Sequence, residues 1–247
     1  MVRQNCLAKI DVFVLAGGLG TRISPLLGDT PKLLAPIAGR PYLSHLLGWL
    51  RKFGARRIVL GLGHGSAAVL DYLIKQPASD LDICTMVEPT PLGTAGAIRF
   101  ARAELHGDPV LVLNGDTFIN ADLCMLVTRQ RQMGTLGTLV CVEVNDAGRF
   151  GHVILDGTDR IEGFTEKDPA LQGAAAVNGG VYALSAELLD RIAVGNAKSL
   201  EYDVFQRMPS RTFGAYFGRF NFIDIGTPES LKASADVFAA VCGAGIE

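Results

Sequence analysis

The chain has 247 residues, 49% of them hydrophobic, and a formal net charge of −2, enough apolar material for one large α/β core and too little charge imbalance for a polyanion partner. No run of Lys or Arg suggests a nucleic-acid groove, and no apolar stretch approaches a membrane span, the Val237 to Ile246 tail included. A small-molecule partner is therefore expected. The five cysteines, Cys6, Cys84, Cys124, Cys141 and Cys242, are scattered and lack C-x-x-C spacing. They argue against a disulfide frame or a zinc site and read as buried thiols of a reducing compartment. Lys9 and Asp11 break the only apolar run before residue 17, so no signal peptide is expected and the location should be cytoplasmic.

In chain order, Val12, Val14 and Leu15 belong to a short, nearly unbroken apolar run, the pattern of a strand buried on both faces of a parallel sheet. Gly17, Gly18 and Gly20 follow at its carboxyl end, where glycine allows positive φ and lets N–H groups approach an anion. Pro41 opens a helix with Leu43, Leu46, Leu47 and Leu50 on one face, and Gly54 closes it. Arg57 to Leu62 reads as a strand, Ser66 to Ile74 as a helix, Leu81 to Val87 as a strand and Thr94 to Leu105 as a helix. Pro109 to Asn114 is then a buried strand that runs into Gly115 and Asp116. Strands separated by helices imply βαβ units with right-handed crossovers.

After Asp116 the pattern changes. A helix, Leu123 to Met133, precedes strands at Thr135 to Val144, His152 to Leu155, Arg160 to Thr165 and Ala175 to Leu184. Helices over Ala186 to Ile192 and Leu200 to Met208, strands through Thr212 to Asp224 and a helix from Pro228 to Ala240 complete the chain. The expected fold is α/β: a Rossmann-like, mostly parallel mixed sheet with helices on both faces and a small acceptor-binding lobe built on the same sheet. Residues 1–247 form a single domain in this reading, with a nucleotide-binding half over about 1–116 and an acceptor half over about 117–247.

The glycine turn is not a P-loop, because no Gly-Lys-Ser or Gly-Lys-Thr occurs. A dinucleotide fingerprint starting at Gly18 fails at Ile23, and the run from Gly61 fails at Ser66 and reads as an ordinary strand-to-helix turn. A dinucleotide-dependent oxidoreductase is excluded on the same ground. What remains is the stretch from Gly17 to Arg22, followed ten residues after Arg22 by Lys32 in Pro31-Lys32.

That pattern resembles the signature of the sugar-1-phosphate nucleotidyltransferases, and the resemblance extends over nearly the whole chain. It implies a fold of that type, with nucleotide contacts from Leu15, Ala16, Gly17, Gly18, Gly20 and Thr21. Arg22 and Lys32 become the expected clamps on a nucleoside triphosphate. Such transfer is an in-line attack at the α-phosphate, dominated by positioning and charge neutralisation. No general base is needed, since a phosphate monoester is already largely ionised at neutral pH. The four histidines accordingly stand in no triad or ligand spacing.

Asp116 and Asp224 both end strands, and each alone could be a cap or turn residue. The resemblance implies that they hold Mg²⁺ between them, with Asp116 catalytic. Pro91 to Ala97 resembles the family's nucleobase loop, implying contacts from Gly93 and Thr94. Glu88 precedes it, and a carboxylate can accept both N1–H and the N2 amino group of guanine, which favours GTP; the base could instead be read by backbone around Leu15 and Gly93. By resemblance, Gly151, Glu166, Lys167 and Asn178 meet the sugar 1-phosphate, although Glu166 and Lys167 could also be a solvated pair.

Together with the 23 residues that follow Asp224, these features resemble the D-glycero-α-D-manno-heptose 1-phosphate guanylyltransferases most. A tail of that length leaves no room for the β-helix of longer relatives. Tyr202 departs from the lysine expected in Leu200-Glu201-Tyr202-Asp203. The alternatives are a uridylyl- or thymidylyltransferase acting on a hexose 1-phosphate, or a non-catalytic relative. The latter should have lost one of Arg22, Lys32, Asp116 or Asp224, and all four are present. Oligomeric state, a homo-oligomer included, is left open by the sequence.

Overall fold

A computed structural model of the chain describes residues 5–18, 20, 22–76, 80–144, 152–165 and 175–242. Strand β1 (Val12–Ala16) is followed by a short helix α1 (Ser24–Leu27), a 3₁₀ turn (Lys32–Leu34), and the two-residue strands β2 (Pro36–Ile37) and β3 (Arg40–Pro41). Then come α2 (Tyr42–Lys52), β4 (Arg57–Leu62), α3 (Ser66–Ile74), β5 (Asp82–Val87), α4 (Thr94–Ala101), β6 (Val110–Asn114) and β7 (Thr117–Ile119). The second half holds α5 (Leu123–Met133), β8 (Gly137–Val144), β9 (His152–Leu155), β10 (Ile161–Thr165), β11 (Ala175–Leu184) and α6 (Ala186–Val194). A π-helical turn (Leu200–Phe205), β12 (Phe213–Gly218), β13 (Phe222–Asp224) and α7 (Pro228–Cys242) end the described chain.

The main sheet runs β10-β9-β11-β6-β1-β4-β5, with β8 paired to β11 and β12 to β8. Its first-half strands are parallel: β1 pairs with β4 and β6, and β4 with β5. Strand β11 is antiparallel to β6, β8 and β9, and so joins the second half onto the first half's sheet. The sheet is therefore mixed, parallel under the glycine turn and again where β12 pairs with β8.

Strand alternation divides the core into two layers. Val12 and Val14 of β1 pack with α2, α5 and α7 on one face. Phe13 turns to the other face, where α4, α6 and the π-helical turn contribute Ile98, Leu188 and Phe205. Both faces of β1 are thus covered, its first three side chains fully and Leu15 and Ala16 in part, which is why the run is apolar without interruption. On the first face, Trp49 of α2 lies 5.2 Å from Phe118 of β7, ring centre to ring centre. Phe118 is in turn 4.5 Å from Phe238 of α7.

The sequence boundaries of β4, α3, α5 and β11 coincide with the observed ones. The helix expected through Leu105 ends at Ala101 and tightens into a 3₁₀ turn over Arg102–Glu104, as helix ends often do. The helix expected from Leu200 to Met208 is instead the π-helical turn ending at Phe205. Elements of two to four residues, α1, β2, β3 and β7, carry no readable periodicity and were not anticipated. Among the described residues, no helix is long and apolar enough to cross a membrane.

One expectation is overturned. Cys6 and Cys124 form a disulfide, with Cα atoms 5.5 Å apart across 118 residues of sequence. Spacing along the chain carries no information about this pair. The segment before β1 is tied to the end of α2 by the bond from Leu7 N–H to Phe53 O (3.0 Å), which leaves Cys6 beside the first turn of α5. Cys84 and Cys141 are free thiols; burial pushes the Cys141 thiol up to about 12.

Candidate active site

A cavity of about 360 Å³ opens at the carboxyl ends of β1, β4 and β6, the crevice where open α/β sheets take ligands. Leu15, Ala16, Gly17, Gly18 and Gly20 form one wall; Lys32, Glu88, Gly93 and Thr94 line it, and Asn114 to Asp116 close its floor. Of the turn glycines only Gly20 has positive φ, at +63°. Gly17 is in close contact instead: an added Cβ would run into the Glu88 carboxylate, which would have to move aside. On its other side Gly63 packs against the Gly17 backbone, since a Cβ on Gly63 would lie 2.5 Å from Gly17 O. Gly115 N–H donates to Leu15 O at 2.8 Å and locks the floor to the end of β1.

Lys32, on the 3₁₀ turn after Pro31, donates to Asp116 Oδ2 at 2.9 Å. Asp116 reaches Asp224 through a small ribbon separate from the main sheet. There β7 and β13 pair antiparallel, with Thr117 opposite Asp224, and Ile225 N–H donates to Asp116 O at 2.8 Å. The Asp224 carboxyl is raised above the usual range, first by burial and then by the Asp116 charge. The Gly226 N–H, Lys32 and Arg22 partly offset that rise, so both cations lie within electrostatic reach of the pair. Arg22 itself is exposed. A carboxyl raised by burial and by a neighbouring carboxylate suits a hard divalent cation. Among the described residues no group of three or more His, Cys, Asp or Glu forms a metal cage. A cation here would therefore complete its shell from phosphate oxygens and water, which is the habit of magnesium.

Glu88 lies at the end of β5. Burial raises its carboxyl, while the N–H of Leu92 donates to Oε2 at 3.0 Å and opposes the rise. Thr94 opens α4, but its hydroxyl is committed elsewhere: it donates to Glu201 Oε2 at 3.2 Å and accepts from Leu200 N–H at 2.8 Å. Gly93, with φ +76°, admits this contact because a Cβ there would meet Lys198 O. The loop from Glu88 to Thr94 is thereby latched to the π-helical turn.

Asn178 is not on the cavity wall. It stands on β11 beyond the end of β6, with Oδ1 accepting from Gly180 N–H and Nδ2 donating to Tyr182 Oη, both at 2.9 Å. Thr21, Gly151, Glu166 and Lys167 lie outside the described residues. The structure thus places Lys32, Asp116, Glu88, Gly93 and Thr94 on one crevice. Asp224 is not on its wall but is joined to Asp116 by the β7–β13 ribbon, and Arg22 is likewise off the wall, within electrostatic reach of Asp224. The cavity also takes in Gly63, His64 and Ser66, in a run that reads from sequence as an ordinary turn, and Asn114, which the Leu-Asn-Gly-Asp segment contained without marking it.

The chain is similar to known proteins over nearly its whole length. The chain is 34% identical to the mannose-1-phosphate guanylyltransferase of Mycobacterium tuberculosis over 94% of its own length. It spans 66% of that relative. It is 32% identical to the D-glycero-α-D-manno-heptose 1-phosphate guanylyltransferase of Campylobacter jejuni, covering 89% of this chain and 96% of that one. Crystal structures of HddC from Yersinia pseudotuberculosis, one complexed with GMP-PN, superpose with TM-scores of 0.82 and 0.81 at 32% and 31% identity. Each alignment covers 93% of this chain and 99% of the other. Residues 12–239 match the nucleotidyl transferase family, a span that contains the glycine turn, both aspartates and both cations; the chain is a member of that family.

Proposed function

We propose that the chain transfers a guanylyl group from GTP to a sugar 1-phosphate, with D-glycero-α-D-manno-heptose 1-phosphate as acceptor. The observation that carries this reading is the meeting of Lys32, Asp116 and Asp224 beside a glycine-lined crevice. An acceptor phosphate oxygen attacks the α-phosphorus as the bond to the β-phosphate's bridging oxygen breaks, and pyrophosphate leaves with that electron pair. The attacking monoester is already ionised, so no side chain has to remove a proton.

Arg22 and Lys32 bind the triphosphate and take up the charge that develops on the leaving group. Lys32 is held ready by Asp116. The family generally uses a divalent metal; here Asp116 and Asp224 would hold Mg²⁺. When bound, the ion supplies charge neutralisation to the reacting phosphates. Gly17, Gly18, Gly20 and Leu15 bring main chain against the nucleotide, Gly93 shapes the base side, and Glu88 accepts from guanine. Asn178, with Gly151, Glu166 and Lys167, meets the sugar phosphate.

The chain acts as one nucleotidyltransferase unit in this reading, an inference supported by β11, which pairs with strands of both halves. Its setting is the cytoplasm, where the Cys6–Cys124 bond would be reduced. Alkylation of cells lysed directly into denaturant, which exposes buried Cys141, followed by intact mass measurement should then find all five cysteines modified, whereas two unmodified cysteines would mean that the disulfide persists and the setting is oxidising. The 34% identity to a mannose-1-phosphate enzyme favours mannose 1-phosphate as a second acceptor reading. Pyrophosphate release with GTP, UTP, dTTP, CTP and ATP against heptose, mannose and glucose 1-phosphates decides. GTP with the heptose ester should turn over fastest; a faster UTP or dTTP reaction overturns the donor assignment, and faster mannose 1-phosphate turnover replaces the acceptor.

A further inference from the structure

Tyr182 of β11 is fully buried, with its ring 5.3 Å from that of Phe205 in the second core layer. A phenylalanine would serve that packing equally well, so the hydroxyl needs its own explanation. It accepts from Asn178 Nδ2 at 2.9 Å, and the side chain of Asn114 also hydrogen-bonds it. Residues four apart on a regular strand stand roughly 13 Å apart at Cα. Here the contact exists because the β11–β8 register shifts between Asn178 and Tyr182 and Gly180 takes φ +70°. A Cβ on Gly180 would lie 3.0 Å from Asn114 Nδ2, so the irregularity is fitted to Asn114 as well.

The amide of Asn178 can then be accounted for group by group. Oδ1 accepts one bond from Gly180 N–H, and Nδ2 gives one to Tyr182. One N–H and one carbonyl lone pair are left, the pair of functions that a single hydroxyl can satisfy. They keep one direction only while the amide is prevented from rotating, and of its two restraints the Tyr182 hydroxyl is the one supplied by a side chain.

We propose that Tyr182 is the positioning residue for the acceptor, fixing the Asn178 amide that meets a sugar hydroxyl without touching substrate itself. This rests on the reading of Asn178 as a sugar contact. The test uses the full chain with saturating GTP and titrated sugar 1-phosphate. Tyr182→Phe keeps the ring and, apart from a modest fall in Tm from the lost buried hydrogen bonds, should leave the KM for GTP unchanged while raising the acceptor KM about five- to tenfold, the scale of one hydrogen bond. Asn178→Ala should raise the acceptor KM at least as far, and the double variant should be no worse than Asn178→Ala alone. If Asn178→Ala raises the acceptor KM and Tyr182→Phe does not, Tyr182 has no positioning role. Additive effects in the double variant overturn the proposal too, because Tyr182 would then act by another route. An unchanged acceptor KM in Asn178→Ala overturns the underlying sugar contact, and the proposal with it.

Discussion

Arg22 stands exposed on the turn after β1, so its removal costs the core little and any loss reports on ligand. Arg22→Ala should lower kcat by roughly 10² to 10³, the scale of losing one donor to a developing anion, with Tm unchanged; a comparable fall in Tm would assign Arg22 to the fold instead. Glu88 offers a pH test. Burial raises its carboxyl, so the folded chain holds that proton more tightly than the unfolded one. The associated stability is complete below the ordinary glutamate range and is lost as pH rises through the raised value. Glu88→Gln should therefore melt no lower than wild type at neutral pH, and the gap should close in acid. Its GTP preference over UTP should shrink at the same time, measured as a ratio of kcat/KM. A variant that melts well below wild type at neutral pH would contradict the burial argument. Residues such as Arg22 and Lys32 were legible because fixed spacing places them beside the glycine turn. Asn114 and Tyr182 were not, because their roles depend on a strand irregularity that leaves no mark in apolar periodicity.

The latch between the start of α4 and the π-helical turn depends on a position where only glycine fits. Gly93→Ala would force a Cβ toward Lys198 O at φ +76°. Strained backbone of this kind costs about 1–3 kcal/mol, so Tm should fall and the KM for GTP should rise as the loop moves off Glu201. An alanine variant with wild-type Tm and KM would mean that the latch is slack. Long elements were readable for physical reasons: β1 is apolar throughout and β6 is apolar up to Asn114 because both faces are covered, and α3 and α5 exceed two turns. The ribbon of β7 and β13, three residues in each strand, was not readable as paired structure. Yet it brings together the two aspartates that sequence had marked separately. The disulfide shows the same limit, since partners 118 residues apart meet only through tertiary packing.

At the scale of the molecule, the first half contributes Asp116 and the second half Asp224, so the carboxylate pair exists only when both halves are folded together. Asp224→Asn should preserve the fold, because its Oδ1 accepts a single bond, from Gly226 N–H, that an amide oxygen can also accept. Turnover should fall by two or more orders of magnitude, on the order of losing a charge-stabilising group, and the Mg²⁺ concentration for half-maximal rate should rise. Unchanged activity at limiting Mg²⁺ would remove Asp224 from the cation site. The ribbon that carries this pair also touches the chain's one tryptophan: Trp49 packs against Phe118, two residues past Asp116. Ligand-driven displacement of β7 would thus change the surroundings of the only indole fluorophore, and the native protein's emission, excited selectively near 295 nm as is general for tryptophan, could follow events at the carboxylates in real time without any attached label.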